Sequence, residues 1–395
     1  MTRTPEALIQ PELMTWARKS AGYSPDQAAA KIRVAEERLI AWESGDQRPS
    51  IAQLRAAAKV YKRPLAIFYL PEPPVDYQPL TDFRRIPEAD LGKLSPSLIA
   101  TIRRARALRE NAIELREIAD EPIAASPTLE INSSDPEIVA ELARTMLGVD
   151  IQDQFGWASP EDALRSWTRA ITELDVLVFQ AQSIARDEMR GFSIFSDRLP
   201  LIVLNGSDFP RGKIFTLLHE FTHVLLHADG VCDVLPRRTI RRPSDGVEVF
   251  CNQVAASILM PNDPFRAAAQ SASTNDAWDD QGLEKLSSQF AVSQEAVVRR
   301  LHGFGLVTWE FMVDKQREQK AAYRDYRARL SGSKGGPSPY TMKIRDLGRD
   351  YIELALNAYY QRSITGSVLS EFLEIKVNNV PKLERALAQQ KGRMG

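Results

Sequence analysis

The chain has 395 residues, with 44% hydrophobic and 26% charged side chains, which is globular composition and room for two or three domains. Lys and Arg number 51 against 52 Asp and Glu, a formal net charge of -1, so bulk charge excludes a general polyanion binder and any nucleic-acid contact must be local. Two cysteines, Cys232 and Cys251, form no CxxC pair and exclude a disulfide framework. No run is long and apolar enough to span a bilayer, and the opening Met-Thr-Arg-Thr-Pro-Glu lacks the apolar core of a signal peptide. The expectation is a soluble cytoplasmic protein with reduced thiols and no membrane partner.

Residues 5 to 70 read as five short helices. Pro11 to Ser20 comes first, then Pro25 to Ile32 behind an N-cap Ser24. Ala35 to Ser44 is stopped by Gly45, Ser50 to Tyr61 starts on its own cap, and Pro64 to Leu70 closes the set. Short helices on tight turns form the helix-turn-helix pattern. The run Leu39-x-x-Trp42-Glu43-x-Gly45-x-x-x-Pro49-Ser50-x-x-x-Leu54 resembles the XRE (Cro/C1-type) DNA-binding family over about the first 65 residues. The resemblance implies that the third helix reads DNA, with Arg33, Arg38 and Arg48 as candidate contacts. Residues 1–70 carry eleven Lys and Arg against seven Asp and Glu, an excess that suits phosphate contact. Glu36 and Glu37 oppose it, because they open the reading helix with negative charge.

Pro71-Glu72-Pro73-Pro74 ends this domain, placed at 1–72. A long helix with an Arg- and Glu-rich outer face is expected over 82 to 120, then helices at about 135–147 and 160–173. The period then changes. Leu174 to Phe179, Gly191 to Phe195 and Leu199 to Asn205 read as three short strands. Pro210 opens the next helix, which carries His219-Glu220-x-x-His223. Two His at i and i+4 share one helix face and can share one metal ion, with the intervening Glu placed to reach metal-activated water.

A catalytic zinc site takes three protein ligands, so a third is needed. His227 lies eight residues after His219, a rise of about 12 Å at roughly 1.5 Å per residue, too far to share one ion with it on a continuous helix. It is assigned instead to the helix C-terminus. Asp229 holds the slot a metzincin would use, but that geometry needs Gly where Leu226 stands. Glu248 lies on a second helix, about Gly246 to Leu259, with Asn252 one turn on and Val249, Val254, Ala256 and Ile258 assigned to its core side. There Glu248 completes the ligand set, and Asn252 is expected to brace a ligand imidazole.

Together, Phe215-Thr216-Leu217-x-His219-Glu220-x-x-His223 and Glu248-x-x-Cys251-Asn252-x-x-Ala255-Ala256-x-Ile258-Leu259-Met260-Pro261 resemble the ImmA/IrrE metallopeptidase family, often preceded by an XRE domain. The resemblance runs to about residue 310. It implies Zn2+ bound by His219, His223 and Glu248, Glu220 as general base, and a regulatory protein such as a repressor or antitoxin-like partner as substrate. Asn205 is the one guess for an oxyanion donor, and Gly191–Phe195 for an edge strand that holds substrate.

Arg237, Arg238, Arg241 and Arg242 lie between the two helices, either as a solvated loop or as the rim of the cleft. Residues 282 to 301 again read helix-turn-helix, with Ser293 as N-cap, and are taken as a helical subdomain packed on the peptidase. His302 and the two cysteines are read as structural. The predicted fold is α+β and mostly helical: a helix-turn-helix bundle at 1–72, a zincin-like domain with a small sheet at 80–310, a basic and Gly/Ser/Pro linker at 311–339, and a small helical module at 340–395 that is an interaction or helix-turn-helix-like unit. The sequence leaves the oligomeric state open, a dimer included. Two functions compete: a zinc endopeptidase coupled to a DNA-binding domain, and a non-proteolytic DNA-binding regulator that keeps the zincin fold.

Overall fold

The computed structural model describes residues 5–74, 94–129, 133–182, 184–226, 243–273, 278–318 and 337–391. The fold is mostly helical, with one three-stranded sheet. Two compact units divide at Arg106, inside the long helix α5 (Pro96–Ile118).

The first unit holds α1 (Pro11–Ser20), α2 (Pro25–Ile32), α3 (Glu36–Ser44), α4 (Ile51–Tyr61) and a 3-10 turn at Leu65–Tyr69. The residues of the XRE-like motif are used structurally. Leu39 and Trp42 are fully buried. Glu43 takes a two-pronged ion pair from Arg18 at 2.7 and 2.9 Å, which locks α1 to α3. Gly45 ends α3 at φ 86, a conformation glycine adopts without strain. Ser50 and Gln53 exchange capping hydrogen bonds at 3.2 and 2.9 Å to start α4.

The long helix begins at Pro96, not near Asp82; residues 75–93 lie outside the described residues. In the second unit, α6 (Pro136–Leu147), the short α7 (Ile151–Phe155) and α8 (Pro160–Thr172) precede the sheet. The sequence reading missed α7, whose Asp150 cap bonds Gln152 N at 2.8 Å. Strands β1 (Leu177–Ala181), β2 (Gly191–Ile194) and β3 (Leu201–Asn205) are ordered β1-β3-β2, with β1 parallel and β2 antiparallel to β3. β1 and β3 start later than the apolar runs suggest. Asp175 and Leu199 take left-handed φ of 56 and 48, which breaks the extended backbone before each strand.

Then come α9 (Pro210–Leu225), α10 (Pro243–Leu259), α11 (Asn262–Ala272), α12 (Asp280–Gln289) and α13 (Gln294–Gly303). One core joins Trp167, Ile202, Leu204, Leu218, Phe221, Val254, Ile258 and Leu301. Residues 309–318 are helical, so the linker expected from 311 does not begin there; 319–336 lie outside the described residues. The last helices are α14 (Pro339–Leu347), α15 (Arg349–Tyr360), α16 (Gly366–Phe372) and α17 (Val380–Lys391). They dock on β1 through the edge-to-face pair Phe179–Tyr351 and a Gln182–Asp346 hydrogen bond of 2.9 Å.

The start of α9 is pinned by a buried lysine. Lys213 Nζ donates to Gln180 Oε1 at 3.0 Å and to the Gly206 carbonyl at 2.9 Å, tying the helix to the ends of β1 and β3. Burial, helped by the positive charge of Arg345, pushes its pKa down to about 8 from an ordinary 10.5. Between these two values the unfolded chain holds a proton that the folded chain has released, so this group makes stability rise with pH from about 8 towards 10.5. Denaturant unfolding of the wild-type chain and a Lys213→Met variant at neutral pH and near pH 9.5 should therefore show the wild type gaining on the variant at the higher pH; an unchanged difference contradicts the buried-charge account.

Candidate metal centre

Helix α9 presents His219 and His223 one turn apart, with rings edge to face at 4.7 Å between centroids. Glu248 on α10 meets both. Its Oε2 lies 3.3 Å from His219 Nε2 and its Oε1 lies 3.2 Å from His223 Nε2, while the two Nε2 atoms are 3.1 Å apart. Burial works against the Glu248 charge, but hydrogen bonds from the two imidazoles outweigh it and hold the carboxyl well below the usual carboxylate range. His223 is buried, His219 is 14% exposed and Glu248 43% exposed, so the cluster opens to solvent on the Glu248 side.

The donor set fits a zinc ion. Tetrahedral bonds of about 2.0–2.1 Å place neighbouring ligand atoms about 3.3 Å apart, and the observed edges are 3.1 to 3.3 Å. Two imidazole nitrogens facing each other this closely repel unless a proton or a cation lies between them. Among the described residues this is the one His/Cys/Asp/Glu group with that closeness.

The register of α10, and so the place of Glu248, is set at its far end. Three successive carbonyls there are taken by side chains. Arg144 Nη1 bonds Ile258 O at 2.7 Å, Gln154 Nε2 bonds Leu259 O at 2.9 Å, and Arg300 bonds Met260 O at 2.8 and 3.1 Å. These residues come from α6, α7 and α13. Long-range side-chain clamps on helix ends leave no local pattern, which is why sequence reasoning missed them.

Glu220 is buried beside the cluster, and its Oε2 accepts a hydrogen bond of 2.9 Å from Ser193 Oγ on β2. This strand approaches α9 closely because position 191 is glycine. A Cβ there would lie 2.5 Å from Thr216 Cγ2. Ser193 was not singled out from sequence; it sits at a register position only the β2–α9 packing reveals.

Three sequence assignments are corrected. Asn252 does not brace an imidazole: it is exposed, and its amide donates to its own helix at Glu248 O, 2.8 Å away. Cys251 stands there instead, buried, with Sγ 3.3 Å from His223 Nδ1. When Nε2 turns its lone pair to a metal instead of donating to Glu248, the neutral ring would carry its proton on Nδ1, placed to donate to that sulfur. The cause is helix phase. The inward row of α10 is Cys251, Val254, Ala255 and Ile258, whereas Val249, assigned to the core, is 56% exposed. Counting Cys251 as part of that i, i+3, i+4, i+7 row would have found it. Asn205 is no oxyanion donor. It is fully buried, donating to Ile184 O and Met189 O and accepting from Ser207.

His227, Asp229, Cys232 and the arginines at 237, 238, 241 and 242 lie outside the described residues. His302 packs edge to face on Trp309. In the first unit Arg33, Arg38 and Arg48 are exposed, as are Glu36 and Glu37.

Residues 173–302 match the family model described as IrrE N-terminal-like domain, a peptidase family, and residues 15–68 match the helix-turn-helix model. The first match spans all three strands and both helices of the cluster. No curated protein matches the chain. Among solved structures, a Mycobacterium tuberculosis transcriptional regulator is similar at 17% identity and a TM-score of 0.31, over 42% of this chain and 46% of that one; the match spans under half of that regulator's length. A helix-turn-helix domain of this type supports DNA binding. Among the described residues no helix is long and apolar enough to cross a membrane.

The corrected bracing residue can be checked by metal titration of apo protein. Cys251→Ala should weaken zinc affinity by roughly 10-fold, the lower range for loss of a group that orients a ligand, and Asn252→Ala should leave it unchanged. The reverse ranking restores the assignment to Asn252.

Proposed function

We propose, for a chain that joins a helix-turn-helix domain to an IrrE N-terminal-like peptidase domain, a zinc-dependent endopeptidase that acts on a regulatory protein and is brought to DNA or to a DNA-bound substrate by its first domain. The observation that carries this reading is the pairing of the three-atom cluster with a buried carboxylate, Glu220, on the same helix. His219, His223 and Glu248 are the proposed ligands.

When bound, zinc supplies Lewis acidity, which lowers the pKa of water and polarises a peptide carbonyl. The chain's own residues do the rest. Glu220 accepts the proton of the attacking water and delivers it to the leaving amine. Ser193 holds Glu220 Oε2, so the other carboxylate oxygen is presented for proton transfer. Cys251 keeps the His223 ring turned so that Nε2 faces the ligand cluster. Strand β2 lies at the edge of the sheet order and carries Ser193, so a substrate in extended conformation would add alongside it and pass over Glu220. The proposed substrate is a regulatory protein of repressor or antitoxin type, as the family resemblance implies.

The competing reading is a DNA-binding regulator that keeps this fold without turnover, and the helix-turn-helix match favours it to that extent. The two separate in a co-expression assay with products of neighbouring genes, scored for a cleaved partner. Wild type should cut a partner, and Glu220→Gln should retain zinc while cutting at least about 1000-fold more slowly, given the proton-transfer role. Equal cleavage by the variant, or no cleaved partner in either strain, supports the regulator.

A further inference from the structure

Among the described residues three turns with a non-glycine residue in the left-handed region share one backbone, which the turns at Gly22 and Gly148 also adopt before α2 and α7. In each, a residue in the left-handed region is followed by an apolar residue, an extended N-cap and a new helix. The left-handed residues are Arg33 (φ 66), Ala291 (φ 54) and Glu374 (φ 51). The apolar residues Val34, Val292 and Ile375 each donate their N–H to the carbonyl five positions back, at 3.0, 3.0 and 3.1 Å. The N-caps Ala35, Ser293 and Lys376 have φ of -68, -71 and -68 and ψ of 146, 150 and 139. The first turn lies within the segment that matches the helix-turn-helix model. The third repeats it closely: the cap of the preceding helix, Ser24 or Thr365, stands nine residues before the left-handed residue in both.

What distinguishes the three is the face each following helix offers. α3 opens with exposed Glu36 and Glu37, which repel phosphate. α13 is consumed by packing. Its Val297, Val298 and Leu301 belong to the peptidase core, and Arg300 bonds Glu137 and the end of α10. The third is free to read. Val380, Leu383 and Leu387 turn inward, while Lys376, Val377, Asn378, Lys382 and Arg385 are exposed. Asn378, Lys382 and Arg385 lie at i, i+4 and i+7, one stripe along one face. The turn Val377–Asn379 and the first turn of α17 hold no acidic residue. The nearest carboxylates in sequence are engaged elsewhere: Glu374 with Lys343 at 2.9 Å and Glu384 with the Tyr360 hydroxyl at 2.7 Å.

We propose that the C-terminal unit, residues 337–391, is a second duplex-DNA reader that enters the major groove with the Lys376–Arg385 face. The chemistry is that of base-edge and phosphate recognition. An Asn amide pairs with an adenine edge, Val methyls meet a thymine methyl, and Lys and Arg take guanine edges or phosphates. The positive stripe complements the polyanion. The metal site plays no part in this, so the proposal stands or falls apart from the peptidase reading.

The test uses the full-length chain and a fluorescein-labelled duplex of random sequence about three helical turns long, with anisotropy measured across a salt series. A double variant, Lys382→Glu with Arg385→Glu, should bind at least about ten-fold more weakly and lose about 2 from the log–log salt slope, about 0.9 per phosphate contact. The neutral pair Lys382→Gln with Arg385→Gln should lose the same slope with an unchanged thermal midpoint, which separates lost contacts from lost folding. A variant of the first unit, Arg33→Glu with Arg38→Glu and Arg48→Glu, should retain salt-dependent binding. Wild-type affinity and slope in the neutral pair overturn the proposal. So does absence of duplex binding by the wild-type chain, or tighter binding to single-stranded RNA of the same sequence.

Discussion

Three electron-pair donors from two helices meet within 3.1 to 3.3 Å, and the second unit is arranged to keep them there. Two come free with helix periodicity, because His219 and His223 share a face of α9 wherever that helix lies. The third does not. Glu248 reaches them only if α9 and α10 are held in register, and each helix is fixed at the end remote from the cluster. Lys213 ties the start of α9 to the sheet, and Arg144, Gln154 and Arg300 take the last carbonyls of α10. A buried ammonium and half-buried guanidinium groups are costly unless their donors are used. Here Lys213 Nζ, Arg144 Nη1 and Arg300 donate to backbone oxygens at helix and strand ends.

The small sheet has a comparable role. β3 is wholly buried at its centre, β1 is covered by the C-terminal helices, and β2 packs on α9 across a glycine. That leaves Ser193 against Glu220, and it leaves β2 at the edge of the strand order. Under the proposed function, the carboxylate proposed as base is thus held by the edge strand proposed to receive substrate.

Much of this was legible from the sequence, and the limits follow physical lines. Local patterns read well: Ser50 as a helix cap, Gly45 as a helix stop, and the HExxH spacing on a helix opened by Pro210. Glu248 was found because a catalytic pair of His needs a third ligand, and the family resemblance implies a Glu on the following helix. Phase between helices was not legible. Placing Val249 inward and Asn252 beside an imidazole is an error of rotation about one axis, and the packing that sets this rotation comes from residues as distant as Arg144 and Arg300. Strand starts were read too early because left-handed backbone at Asp175 and Leu199 has no signature in an apolar run. The repeated turn was half visible, since residues 282 to 301 with Ser293 read as helix-turn-helix and the C-terminal segment as an interaction or helix-turn-helix-like unit. Only burial separates the copy absorbed into the core from the copy whose basic, amide-bearing face is exposed.

The central claim is that His219, His223 and Glu248 form one zinc site. Elemental analysis of the purified full-length chain, alongside His223→Ala and Glu248→Ala variants of confirmed fold, tests it most directly. The account predicts one zinc per wild-type chain and loss of tight zinc in both variants; a wild-type chain without stoichiometric zinc, or variants that keep it, would contradict it.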